Sequence, residues 1–195
     1  MTPLSARFAI ALASCAIALT AATPVRGDSP APTQAQGQYE VRFMTAMIDH
    51  HAMAVEMSTI CLSNAATPEL IAMCQDILAA QQQEIVTMQT WLQQWYGVSY
   101  APQMTEGMRQ RMDRMAQMYG PEFEIAFMKS MIRHHWTAVV RASGCIDRAY
   151  HPELVDMCAN IIETQVAEIT QMRTWLCNWY GVCNYGPKGA LAEAH

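Results

Sequence analysis

Between residues 40 and 63 apolar side chains recur every three or four positions, with no glycine or proline among them. That is the spacing of an amphipathic helix. The polar stretch NAATPE at 64–69 interrupts it. Thr67 stands where it can cap a second helix, with Pro68 at the first helical position. Helical spacing then resumes over 68–96 and ends near Gly97. The same pair of helices occurs again. Residues 43–98 align without gaps on 127–182, at an offset of 84, and about half of the aligned positions are identical. His151-Pro152 marks the second break, and 104–119 reads as a shorter helix stopped by Gly120-Pro121. No stretch alternates with the period of a strand. The pattern predicts an all-α fold: a four-helix bundle of two duplicated hairpins, running up-down-up-down, with a pseudo-twofold relation between the halves.

Composition adds an export signal and a redox setting. Residues 1–22 have the form of a secretory signal peptide, with an apolar run from Phe8 to Ala22 that is shorter than the ~20 residues of a membrane-spanning helix. The stretch LASC at 12–15 also resembles a lipidation site at Cys15, although the apolar run continues past it. Residues 23–38 read as a disordered linker, 39–185 as the bundle and 186–195 as a flexible tail. Removal of the signal leaves six cysteines, an even count that fits disulfides in an exported chain. Cys61 and Cys74 flank the first turn, and Cys145 and Cys158 flank the second. These are the natural bridges, which leaves Cys177 to pair with Cys183. The net charge of −5 and the absence of a basic cluster argue against nucleic acid. The expected location is the periplasm, and the expected mature form is a monomer without a membrane span.

The chain holds 16 methionines. Methionine fills cores, but its thioether is also a soft metal ligand. Each repeat carries a His-His pair, His50-His51 and His134-His135, with Met47 or Met131 one helical turn before it. Met44 and Met128 recur with them. If the cysteine bridges set the hairpin register, His51 faces Glu84 and Met47 faces Met88. In the second repeat His135 faces Glu168 and Met131 faces Met172. Two imidazoles with one or two thioethers make a soft, uncharged site suited to Cu(I), with Ag(I) as its mimic. The glutamates would orient the imidazoles through an N–H. Met53 and Met57 are replaced by Thr137 and Arg141 in the second repeat, so any site that includes them belongs to the first half. Met104, Met108, Met112, Met115 and Met118 form one stripe, either packed on the core or serving as a copper route. His151 and His195 could take Cu(II) at the surface. A hydrogen-bonded polar layer without metal is the competing reading of the histidines, in a disulfide-stapled scaffold. No Glu-x-x-His motif supports a di-iron centre, and no nucleophile with a base or phosphate loop is present, so no enzyme is expected.

The segments FMTAMIDHHAMAVEM and FMKSMIRHHWTAV resemble the M-I-x-H-H signature of a bacterial domain family long listed as of unknown function. The resemblance spans 39–185. It implies a ferritin-like four-helix fold and Cu(I) or Ag(I) at His50, His51, His134 and His135. It also implies a periplasmic role as a copper metallochaperone or buffer in copper resistance, with a copper efflux or sensor protein as partner.

Overall fold

The computed structural model describes residues 29–186. They form five helices: α1 (Gln34–Asn64), α2 (Pro68–Tyr96), α3 (Glu106–Met115), α4 (Gly120–Ile146) and α5 (Pro152–Tyr180). Among the described residues there is no strand, and no helix is long and apolar enough to cross a membrane. The signal segment, Cys15 and His195 lie outside the described residues.

Local chemistry sets the helix ends. α1 begins at Gln34, inside the stretch expected to be linker, because the side chain of Thr33 accepts from the backbone N–H of Gln36 and caps it. Proline occupies the first turn of α2, α4 and α5. α2 and α5 both end on a glycine in the left-handed region, Gly97 (φ 65°) and Gly181 (φ 68°). Val98 N–H then bonds Leu92 O at 3.0 Å, and Val182 N–H bonds Leu176 O at 2.9 Å. A side chain with a Cβ would be strained at either glycine. Cys61–Cys74 and Cys145–Cys158 bridge the two hairpin turns, and Cys177–Cys183 ties the end of α5 to the segment that follows it.

Two hairpins, α1–α2 and α4–α5, pack together mainly through α1 and α4. The expected up-down-up-down order is incorrect. Glu40 near the start of α1 reaches the turn after α4, and Glu124 near the start of α4 reaches the turn after α1. α1 and α4 are therefore antiparallel, and the order is up-down-down-up. The physical reason is the crossover over 97–119, which is long enough to travel the length of the bundle instead of turning back. Asp49 fixes its start, accepting from Gln103 N–H (2.7 Å) and Tyr100 O–H (2.8 Å). Asn64 fixes its end by donating to the carbonyls of Ala116 (3.0 Å) and Met118 (2.8 Å). α3, the ordered part of the crossover, lies against α1 and α4.

The two glutamates form matched clasps. Glu124 Oε1 accepts from Ala66 N–H and Thr67 N–H, both at 2.7 Å, and Oε2 accepts from the hydroxyls of Thr67 and Tyr180. Thr67 thus occupies the N-cap position of α2, but its side chain serves Glu124 and makes no cap bond. Glu40 accepts from Tyr150 N–H (2.6 Å), His151 N–H (2.9 Å), His151 Nδ1 (2.6 Å) and the Tyr96 hydroxyl. Gly37 lets the Tyr96 ring lie against α1, since an added Cβ would stand 3.2 Å from Tyr96 Cε1. Burial alone would raise the pKa of both carboxyls. The donated hydrogen bonds outweigh it and hold both below the usual value.

Candidate metal centre

The apolar core is divided in two. One cluster joins Met57, Phe123, Phe127, Met128, Met131 and Met172, and the other joins Phe43, Met44, Met47, Met88, Leu92 and Trp95. Between them the four long helices each turn polar side chains inward at mid-length. His50, His51, His134, His135, Gln81 and Gln165 are all buried. Helical periodicity accounts for this layer. His51 follows Met44, Met47 and Ile48 on the inward face of α1, and His135 follows Met128, Met131 and Ile132 on that of α4.

The two histidine pairs meet across the pseudo-twofold axis, although the sequence placed each in its own hairpin. The rings of His50 and His134 stack with centroids 3.6 Å apart. His50 and His51 are separated by 6.2 Å between ring centroids, and His134 and His135 by 6.0 Å. His134 Nε2–H donates to the carbonyl of His50 at 2.9 Å. That bond fixes the tautomer and leaves Nδ1 with a bare lone pair. The Nδ1 atoms of all four histidines are buried and have no hydrogen-bond partner. His51 Nε2 lies 2.7 Å from Glu84 Oε2, and His135 Nε2 lies 2.6 Å from Glu168 Oε2. The hairpin register foresaw both pairs. In each, however, the carboxylate sits off the line of a ring N–H, so the contact is close but lacks hydrogen-bond alignment. Burial, reinforced by the neighbouring cationic groups, pushes His50 down to about 3. His134 is held well below the usual histidine range for the same first reason. Both imidazoles are therefore neutral near pH 7, which is the form that binds metal.

The methionines fall into two groups. Met44, Met47, Met88, Met128, Met131 and Met172 are fully buried on either side of the histidine layer. Met47 and Met88 share one cluster, and Met131 and Met172 share the other, as the register required. Met57 is buried in the same cluster as Met128, Met131 and Met172, and Met53 packs against it. Met53 and Met57 face the crossover and line a cavity of about 470 Å³ with Met112, Met115 and Met118, onto which His50 and His134 also open. Among the described residues no three His, Cys, Asp or Glu side chains converge to hold a metal ion.

His151 corrects an expectation. It is buried, stacked on Trp95 with centroids 3.8 Å apart, and both ring nitrogens face acceptors, Glu40 and the carbonyl of Ser29. Neither lone pair is available to surface Cu(II). The sequence reading also missed the clasp glutamates. They recur at the repeat offset but lie just outside the aligned segment, so extending the alignment by three residues finds them.

Comparison with known proteins places these features in a family. The structure of CopM in the Cu(I)-bound form superposes with a TM-score of 0.66 at 34% identity, covering 73% of this chain and 98% of that one. The Ag-bound form gives 0.65 at the same identity and coverage. A DUF305 protein from Streptomyces coelicolor, described as a candidate secreted protein, gives 0.63 at 26% identity and covers 71% of this chain and 91% of that one. No curated protein sequence matches the chain. Residues 40–176 match the domain family described as a domain of unknown function, DUF305, and the chain belongs to that family.

Proposed function

We propose that this protein is an exported copper-binding protein that holds Cu(I), and Ag(I) as its mimic, at the histidine layer. It would act in the periplasm as a metallochaperone or buffer in copper resistance. One observation carries the reading: four buried imidazoles meet at mid-bundle with every Nδ1 unpartnered, between two shells of buried thioethers. An interior that leaves four buried ring nitrogens unsatisfied costs stability unless a ligand completes them. Imidazole nitrogen and thioether sulfur donors with no carboxylate in direct line favour a soft monovalent ion. The two halves form half-sites: His50 and His51 with Met47 and Met88, and His134 and His135 with Met131 and Met172. Met44 and Met128 back them. Glu84 and Glu168 stand 2.7 and 2.6 Å from Nε2 of the inner imidazoles, close enough to orient them once a ring N–H aligns with the carboxylate. Export fits this chemistry, because the six cysteines among the described residues are bridged while methionine and neutral histidine stay available in an oxidising compartment. The similarity to CopM, solved with Cu(I) and with Ag, supports the same cargo. The reading makes the chain a carrier rather than an enzyme, with an efflux or sensor protein as recipient. The single long crossover suits a ferritin-like connection.

The test is an anaerobic Cu(I) titration against a chromophoric chelator. Wild-type protein is expected to hold two tight equivalents, and the His50→Ala/His51→Ala and His134→Ala/His135→Ala variants about one each. Equal competition by wild type and both variants would leave the histidines as a polar layer of a disulfide-stapled scaffold.

A further inference from the structure

The methionine-lined cavity breaks the internal symmetry of the molecule. Along α1, the residues facing the crossover are Asp49, Met53, Met57 and Asn64, and the positions equivalent to them in the second repeat are Arg133, Thr137 and Arg141 of α4 and Arg148 just after it. On the α1 side, Asp49 and Asn64 tether the crossover at both ends. Met53 and Met57 lie between those tethers, opposite Met112 and Met115 of α3. The other half of the α1–α4 groove has no covering helix and is lined by Arg42, Arg141 and Arg148.

We infer that this cavity is a separate, all-thioether capture site for Cu(I) or Ag(I), built by Met53, Met57, Met112 and Met115, which passes the ion inward to His50 and His134. The inference rests on the proposed function and adds the route. About 470 Å³ of space, partly open to solvent, lies beside these flexible thioether side chains. No carboxylate lines the cavity, so a hard divalent ion finds no compensating charge there. Arg111, Arg114 and Arg133 stand at its exposed rim. Their repulsion of a divalent ion is twice that of a monovalent one at equal distance. Thr105 caps α3 by accepting from Met108 N–H, and the tethers hold both ends of the crossover. The sulfurs are thus carried on a fixed element. Transfer inward is ligand exchange from thioether to imidazole. It moves no electron, and the bare Nδ1 of His134 has no proton to release.

The experiment loads full-length mature protein with Ag(I) nitrate in chloride-free buffer. It reads stoichiometry together with the silver K-edge absorption spectrum. Wild type is expected to hold one equivalent with sulfur-only neighbours beyond the nitrogen-containing sites. That equivalent should survive His50→Ala/His134→Ala and vanish in Met112→Leu/Met115→Leu. Leucine keeps the volume and removes the sulfur. Met53→Leu/Met57→Leu should remove it equally, from the other wall. Retention of the sulfur-only equivalent in both leucine variants overturns the capture site and leaves the histidine centre standing. Absence of bound silver in every protein overturns both.

Discussion

Glu124→Ala is expected to destabilise the protein by about 3–5 kcal/mol. The carboxylate is buried and accepts four hydrogen bonds: two from the backbone of the α1–α2 turn, one from the Thr67 hydroxyl and one from the Tyr180 hydroxyl. It joins the start of α4, the end of α1 and the end of α5 at one point. Truncation strands two backbone N–H groups and a tyrosine hydroxyl, and each lost buried partner costs roughly 1–3 kcal/mol. A figure near the cost of breaking a buried charged network follows. At roughly 2–4 °C per kcal/mol for a domain of this size, the melting temperature should fall by about 10 °C. The pH dependence has a definite sign. Because the folded carboxyl titrates below its usual value of 4.5, its contribution is complete above that value and is lost as pH falls through the depressed one. Urea denaturation of the oxidised protein, followed by circular dichroism, measures the loss. A change under 1 kcal/mol would mean that the clasp is not closed in solution.

His50→Phe is expected to act in opposite directions on stability and on metal binding. Nδ1 of His50 is buried without a partner, and the ring opens onto the methionine-lined cavity, which has room for a phenyl group. Removing the unsatisfied nitrogen should stabilise the metal-free protein by about 1–2 kcal/mol at pH 7, while stacking on His134 is kept. One equivalent of Cu(I) should weaken by about 100-fold or more, since loss of an outer-shell partner alone costs 10–100-fold. Acid sensitivity should fall as well. Folded His50 titrates at about 3 against an ordinary value of 6.5, so between those values the unfolded chain binds the extra proton. The metal-free wild type therefore loses stability as pH drops from 6.5 towards 3. The phenylalanine variant should show a slope smaller by up to about 1.4 kcal/mol per pH unit. Thermal melts of the metal-free proteins across pH 4–7, with chelator competition at pH 7, read both effects. Destabilisation with unchanged copper binding would make His50 a structural residue. This conflict between stability and function is expected where a site is kept open for its ligand.

Much of this arrangement is legible in the sequence because duplication prints it twice. Helix periodicity, the paired cysteines at each turn and the repeated His-His pairs fix both hairpins. They also fix the register that brings Glu84 to His51 and Glu168 to His135. Relations between the hairpins are not legible in the same way. Local spacing says nothing of the direction in which 97–119 runs, so the antiparallel packing of α1 on α4 escapes it. With it escapes the stacking of His50 on His134. His151 sits in a turn, where an exposed histidine is the ordinary expectation. Its burial comes from Glu40, over a hundred residues earlier in the chain. The methionine stripe of α3 was visible as a stripe, but the wall facing it, Met53 and Met57, belongs to another helix and is found only in three dimensions.

The most direct measurement is the copper K-edge absorption spectrum of the mature protein loaded anaerobically with two equivalents of Cu(I). The expected spectrum shows imidazole scattering together with sulfur, a low coordination number, and loss of the imidazole contribution in a His50→Ala/His51→Ala/His134→Ala/His135→Ala variant. A first shell without imidazole, or one unchanged in that variant, would contradict copper binding at the centre of the bundle.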